Sequence, residues 1–83
     1  MSFYEEVVAL LVDTAANLYG LDANALNENT SFKDDLKCKS ADIVKFTLAL
    51  EEEYDVEVPF MAFNRCLTFG DAANYMSELT GII

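Results

Sequence analysis

Few residues in this chain could carry covalent chemistry. There is no histidine, so no Ser-His-Asp or Cys-His nucleophile can be built. Two cysteines, Cys38 and Cys66, are too few and too far apart in sequence for a zinc site. They read as small half-buried residues, which would approach each other near Ser40 if the loop before Ser40 folded against the turn that holds Cys66. The acids lack the spacing and glycine of an EF-hand loop, and no phosphate-binding loop or dinucleotide fingerprint is present. What remains is one serine, Ser40, between a lysine-rich segment (Lys37-Cys38-Lys39) and a strongly patterned helix. A serine there has two readings. Its hydroxyl can accept a bond from a free N–H of the first helical turn and stop fraying. Alternatively it presents that hydroxyl outward as an attachment point for a prosthetic group. Catalysis by this chain alone is not expected, and neither is a resident metal.

The surrounding elements must position Ser40. Ser2 with Glu5 fits a capping box. Phe3, Val7, Leu10, Leu11, Thr14, Ala15 and Leu18 then recur at helical spacing, and Gly20 can adopt the left-handed conformation that ends a helix. The first helix is predicted over about residues 3–19. Residues 20–39 lack a sustained period and are rich in turn formers, Asp22, Asn24, Asn27, Asn29, Thr30 and Ser31. A connection this long needs pinning. Leu21, Leu26, Phe32 and Leu36 are expected to supply it by dipping into the core, with a helical turn near 32–36. The second helix is predicted from about Ala41 to about Tyr54. Its apolar face is Ile43, Val44, Phe46, Leu48, Leu50 and Tyr54, and Asp42, Lys45, Glu52 and Glu53 mark the polar one. Asp55 to Pro59 is an extended connector, since the residue before proline avoids helical angles. Phe60 to Arg65 is expected to form one short turn. Thr68 with Asp71 repeats the capping pattern, and Phe69, Ala72, Ala73, Met76 and Leu79 line a last helix that ends near Gly81. No strand-like alternation is seen. The expected fold is all-α, a small four-helix bundle with three main helices, one short helix and a long first loop, in a single domain over residues 1–83.

Charge narrows the function classes. The 83 residues carry 15 acids and 5 bases, a net charge of −10. Nucleic acid is an unsuitable partner, because phosphate binding needs a basic patch. An acidic surface favours fast, steered encounters with basic proteins. The acidic N-terminal stretch MSFYEEVVALLV is unlike a signal peptide, and no apolar run is long enough to span a membrane. A monomeric cytoplasmic protein with reduced thiols is expected.

The central stretch resembles the acyl carrier proteins of fatty-acid and polyketide synthesis. The resemblance rests on Asp35-Leu36, Ser40 four residues later, Asp42, Val44, Leu50-Glu51-Glu52-Glu53, Tyr54, Asp55, Glu57, Val58 and Pro59, continued by Thr68, Ala72, Ala73 and Tyr75. It runs without a gap from Asp35 to Met76. It implies that Ser40 carries a 4′-phosphopantetheine arm, placed there from coenzyme A by a separate phosphopantetheinyl transferase, and that the arm's thiol holds acyl groups as thioesters. A phosphodiester at Ser40 would meet the free N–H groups and positive dipole of a helix start. The resemblance further implies that Ala41, Lys45, Leu48, Glu51 and Glu52 face acyl-processing enzymes, and that Val44, Phe46, Leu50, Cys66 and Leu67 line the interior that receives the acyl chain. Plain core packing explains those five equally well.

The chain departs from the family around the serine. The family's Asp-Ser-Leu is here Lys39-Ser40-Ala41, Lys45 replaces an acid, and Lys37 adds another base. The front of the second helix is therefore basic where the family is acidic. Two implications follow: a specialised carrier serving a dedicated pathway, or a carrier-like interaction module that has lost modification and acts by docking alone. A carrier of aminoacyl or peptidyl units is a third.

Overall fold

The computed structural model of the chain describes residues 1–82. Its helices begin and end where local chemistry dictates. Helix α1 spans Phe3–Tyr19. Ser2 Oγ accepts the Glu5 N–H at 3.1 Å and Glu5 accepts the Ser2 N–H at 3.1 Å, closing the expected capping box. Gly20 ends the helix at φ 66°. Helix α2 spans Ser40–Tyr54, α3 Phe60–Phe63 and α4 Phe69–Thr80. The start of α4 repeats the box with Thr68 and Asp71, and Gly81 closes it at φ 75°. Among the described residues no strand forms, so the architecture is the expected all-α bundle with three main helices and a short fourth.

Helix α1 packs chiefly against α4 and then α2, and α3 seats on α2. The core gathers around Phe32, which belongs to the long loop rather than to a helix. Its ring sits 5.2 Å from Phe46, 5.5 Å from Phe63 and 4.9 Å from Phe69, centroid to centroid. These edge-on and tilted contacts join α2, α3 and α4 through one side chain. Val7, Leu11 and Ala15 of α1, Leu50 of α2 and Met76 of α4 are fully buried around it.

The backbone of the loop is pinned as firmly. Ser31 and Thr68 form an isolated antiparallel bridge. The Phe32 N–H donates to Leu67 O at 3.1 Å, the Phe69 N–H to Thr30 O at 3.0 Å and the Gly70 N–H to Glu28 O at 2.8 Å. Tyr4 Oη donates to Glu28 Oε2 at 2.7 Å and so ties the loop to α1 as well. Gly70 lies beneath this bond. A Cβ there would fall 2.6 Å from Tyr4 Oη and 3.1 Å from Glu28 O, so a side chain at residue 70 would collide with the latch.

The observed fold departs from the sequence expectations in detail. Residues 32–36 form one turn, closed by the i→i−4 bond from the Asp35 N–H to Ser31 O, and it goes no further because the Leu36 N–H returns to the same oxygen. A 3-10 turn at Ala23–Ala25, capped by Asp22, was not expected. Leu21 follows the left-handed Gly20 and points to solvent, so Leu26, Phe32 and Leu36 pin the loop without it. Asp55 is not extended. It ends α2 in the left-handed conformation at φ 53°, a place where glycine or asparagine is commoner. Leu79 lies in the last turn of α4 and is exposed.

The largest correction concerns α2. Its buried stripe is Ile43, Phe46, Thr47 and Leu50. Thr47 fits the core because its hydroxyl donates to Val44 O at 2.7 Å and leaves no unpaired polar atom. Val44 and Leu48 are thereby rotated outward, 40% and 56% exposed.

Candidate functional site

Ser40 is not the N-cap of α2. That position belongs to Lys39, whose backbone is extended at φ −99° and ψ 172° and whose side chain makes no capping bond. Ser40 is the first helical residue. The capping work is done from within the turn, where Asp42 Oδ2 accepts the Lys39 N–H at 3.1 Å and its charge lies at the positive end of the helix. Ser40 is exposed, and its hydroxyl has no hydrogen-bond partner among the described residues. The N–H groups of Ser40 and Ala41 likewise meet no acceptor among them, while those of Asp42 and Ile43 bond to Lys39 O. A serine hydroxyl thus stands at the mouth of a helix beside two free donors. An oxyanion attached to it would find them ready.

The segment leading to Ser40 is held from below. Lys37 is left-handed at φ 55°, which turns the chain. Cys38 follows, half-buried, with Tyr19 Oη 3.0 Å from its sulfur and its N–H donating to Phe32 O at 2.9 Å. Burial pushes the Cys38 thiol above its ordinary range, and it raises the Tyr19 phenol more strongly, helped by Cys38 and Asp42. Cys66 is engaged elsewhere, with its sulfur 4.0 Å from Ala62 O, and burial pushes its thiol up to about 11. Both thiols are protonated at neutral pH and make poor nucleophiles.

At roughly 100° per residue, Ser40, Ala41, Val44, Lys45, Leu48, Glu51 and Glu52 fall within an arc of about 140° on α2, turned away from the buried stripe. Five of the residues singled out from the sequence, Ala41, Lys45, Leu48, Glu51 and Glu52, therefore share one face with Ser40. All but Glu51 are exposed. Glu51 is half-buried, and its Oε2 accepts the Val58 N–H at 2.8 Å. This bond explains an acid near the C-terminal end of a helix, where the dipole disfavours it: Glu51 holds the connector to α3. Met61 and Leu67 add exposed apolar surface on α3 and on the segment before α4. Of the five residues assigned to the chain-binding interior, Phe46 and Leu50 are fully buried and Cys66 half-buried, whereas Val44 and Leu67 lie outside it.

The pattern of the family described as the phosphopantetheine attachment site matches residues 9–76. The chain is 35% identical over 77 residues to an acyl carrier protein of Lactobacillus acidophilus, covering 93% of this chain and 96% of that one. It is 40% identical over 68 residues to an acyl carrier protein of Clostridium acetobutylicum, covering 82% and 88%. The chain belongs to the acyl carrier protein family.

Family membership makes it a carrier, not an enzyme, and implies covalently attached 4′-phosphopantetheine and acyl-processing partners. The residues present fit that group: an unbonded exposed hydroxyl, two free N–H groups and a helix start. No group of acids and cysteines suited to a metal ion occurs among the described residues, and no described helix is long and apolar enough to cross a membrane. Among the features near Ser40 that the sequence did not reveal is the half-buried Tyr19–Cys38 contact beneath the loop, which joins residues with no shared spacing or pattern.

Proposed function

We propose that this acyl carrier protein bears its 4′-phosphopantetheine arm on Ser40 and holds acyl intermediates there as thioesters, as a specialised carrier in fatty-acid, polyketide or related biosynthesis. The observation that carries the proposal is the free Ser40 hydroxyl: it is exposed, and Asp42 relieves it of the capping role. The hydroxyl attacks the β-phosphorus of coenzyme A on a phosphopantetheinyl transferase, the phosphodiester forms, and 3′,5′-ADP leaves. Residues 1–83 act as one carrier domain, monomeric and cytoplasmic. Ala41, Lys45, Leu48, Glu51 and Glu52 face the partner enzymes, and Phe46, Leu50 and Cys66 border the interior that receives the acyl chain.

Intact mass after co-expression with a promiscuous transferase tests the assignment. The wild-type chain should gain the arm and Ser40→Ala should not. A chain that gains no arm from any transferase would remove the reading.

Lys39 and Ala41 favour a second reading, in which the protein docks without being modified. Pathway function retained by Ser40→Ala with the fold intact would support docking alone.

A further inference from the structure

The bases of this acidic molecule are concentrated on either side of Ser40 in sequence. Four of the 5, Lys33, Lys37, Lys39 and Lys45, lie between residues 33 and 45 and are exposed; with Asp34, Asp35 and Asp42 among them this segment is net +1, against −11 for the rest of the chain. Lys39 and Lys45 bracket Ser40 in sequence. Toward the other end of the same helix face stands Glu52, with Glu51 beside it and Glu53, Asp55 and Glu57 beyond. Lys45 and Glu52 are seven residues apart, about 10 Å along the axis. The Debye length at physiological salt is about 8 Å. A partner docked on α2 therefore meets two separate fields and not their sum.

At longer range the net charge of −10 dominates and attracts a basic body. At contact, a uniformly basic dock would meet Lys39 and Lys45 with like charge, which disfavours the complex. We propose that the enzymes reaching Ser40 are basic overall but present carboxylates at the mouth of their active site, opposite Lys39 and Lys45, with bases opposite Glu52. The exposed Val44 and Leu48 lie between the two charged ends and supply the apolar contact. The arrangement fixes the direction in which α2 is read and rejects partners that are basic throughout. It rests on the carrier reading of Ser40.

Arm transfer from coenzyme A measures the effect on the full-length apo-protein. Two probes are used: a promiscuous transferase whose surface around the coenzyme A site is basic, and the same enzyme with the bases facing residues 39 and 45 changed to acids. The acceptors are wild type, Lys39→Gln/Lys45→Gln and Lys39→Asp/Lys45→Glu. With the basic enzyme at low salt, kcat/KM should rise in that order, by about tenfold from first to last. High salt should flatten the series, and the acidic enzyme should reverse it. Rates equal within about twofold for all acceptors and both enzymes, with every chain modified, would overturn the charge proposal and leave the carrier reading standing. Failure of every chain to gain the arm would overturn both. The melting temperature of each acceptor shows whether it is folded, and the graded Gln variant separates charge from any change in capping at residue 39.

Discussion

Replacing Ser40 by alanine should leave the fold as stable as before or slightly more so. If the hydroxyl capped α2, its loss would cost about 1 kcal/mol. In the structure Ser40 lies inside the helix and its hydroxyl has no bond among the described residues. Alanine is the better helix former there by at most about 0.5 kcal/mol. The expected change in Tm is thus between none and a rise of roughly 2–4 °C for a domain of this size. Asp42→Ala is the matched control. It removes the acceptor of the Lys39 N–H at 3.1 Å and an acid near the positive helix end. It should cost about 1 kcal/mol, a fall in Tm of roughly 4–8 °C. Thermal and urea unfolding followed by far-UV circular dichroism gives both numbers. A loss of about 1 kcal/mol in Ser40→Ala with Asp42→Ala unchanged would refute the assignment of the capping role, and with it the argument that the hydroxyl is free.

Phe32→Ala should cost about 3–5 kcal/mol, the loss for a buried aromatic, and expose residues 20–39 to proteolysis before the helices; a loss below 1 kcal/mol would contradict its central place in the core. Gly70→Ala should destabilise by about 1–2 kcal/mol through overpacking, because its Cβ would meet Tyr4 Oη and Glu28 O. The same variant should lower the Tyr4 phenol toward its ordinary range, since the Glu28 bond that raises it would be disturbed, and ultraviolet titration of tyrosinate reads this directly. Cys66 rises from an ordinary value of 9.0 to about 11 on folding. At pH 8 its alkylation by iodoacetamide should be about tenfold slower than in urea, the lost thiolate being partly offset by its greater nucleophilicity. A folded-state value above the unfolded one means that the unfolded chain releases its proton first. The contribution is complete below pH 9 and is lost as pH rises from 9 through about 11, so urea midpoints should hold up to pH 9 and then decline. A midpoint that climbed over that interval would contradict the sign.

The ends of α1 and α4 were legible in the sequence because caps are local. Ser2 with Glu5, Thr68 with Asp71, and the glycines at 20 and 81 each act within a few residues of themselves. The family match was legible for a similar reason, since it depends on residue types at fixed spacing from Asp35 to Met76. Ser40 was found this way, but whether its hydroxyl was spent on capping was not. That depended on Asp42 closing back on Lys39, which a serine, a lysine and an aspartate at those positions do not decide among themselves.

The resemblance put Leu48 among the partner-facing residues of α2 while periodicity put it with Val44 on the apolar face, and packing decided between the two. The helix carries apolar residues almost all round, so periodicity alone permits either Val44 and Leu48 or Phe46 and Thr47 to face inward. Phe32 settles the choice: it comes from a loop with no periodic signal and brings Phe63 and Phe69 with it against Phe46. The sequence by itself thus determined the four α-helices, the caps of α1 and α4, and the acidic charge with its lysines gathered near Ser40, because these follow from neighbours along the chain. Which stripe of α2 is left for a partner was a tertiary decision, because burial is set by the side chains that arrive from elsewhere.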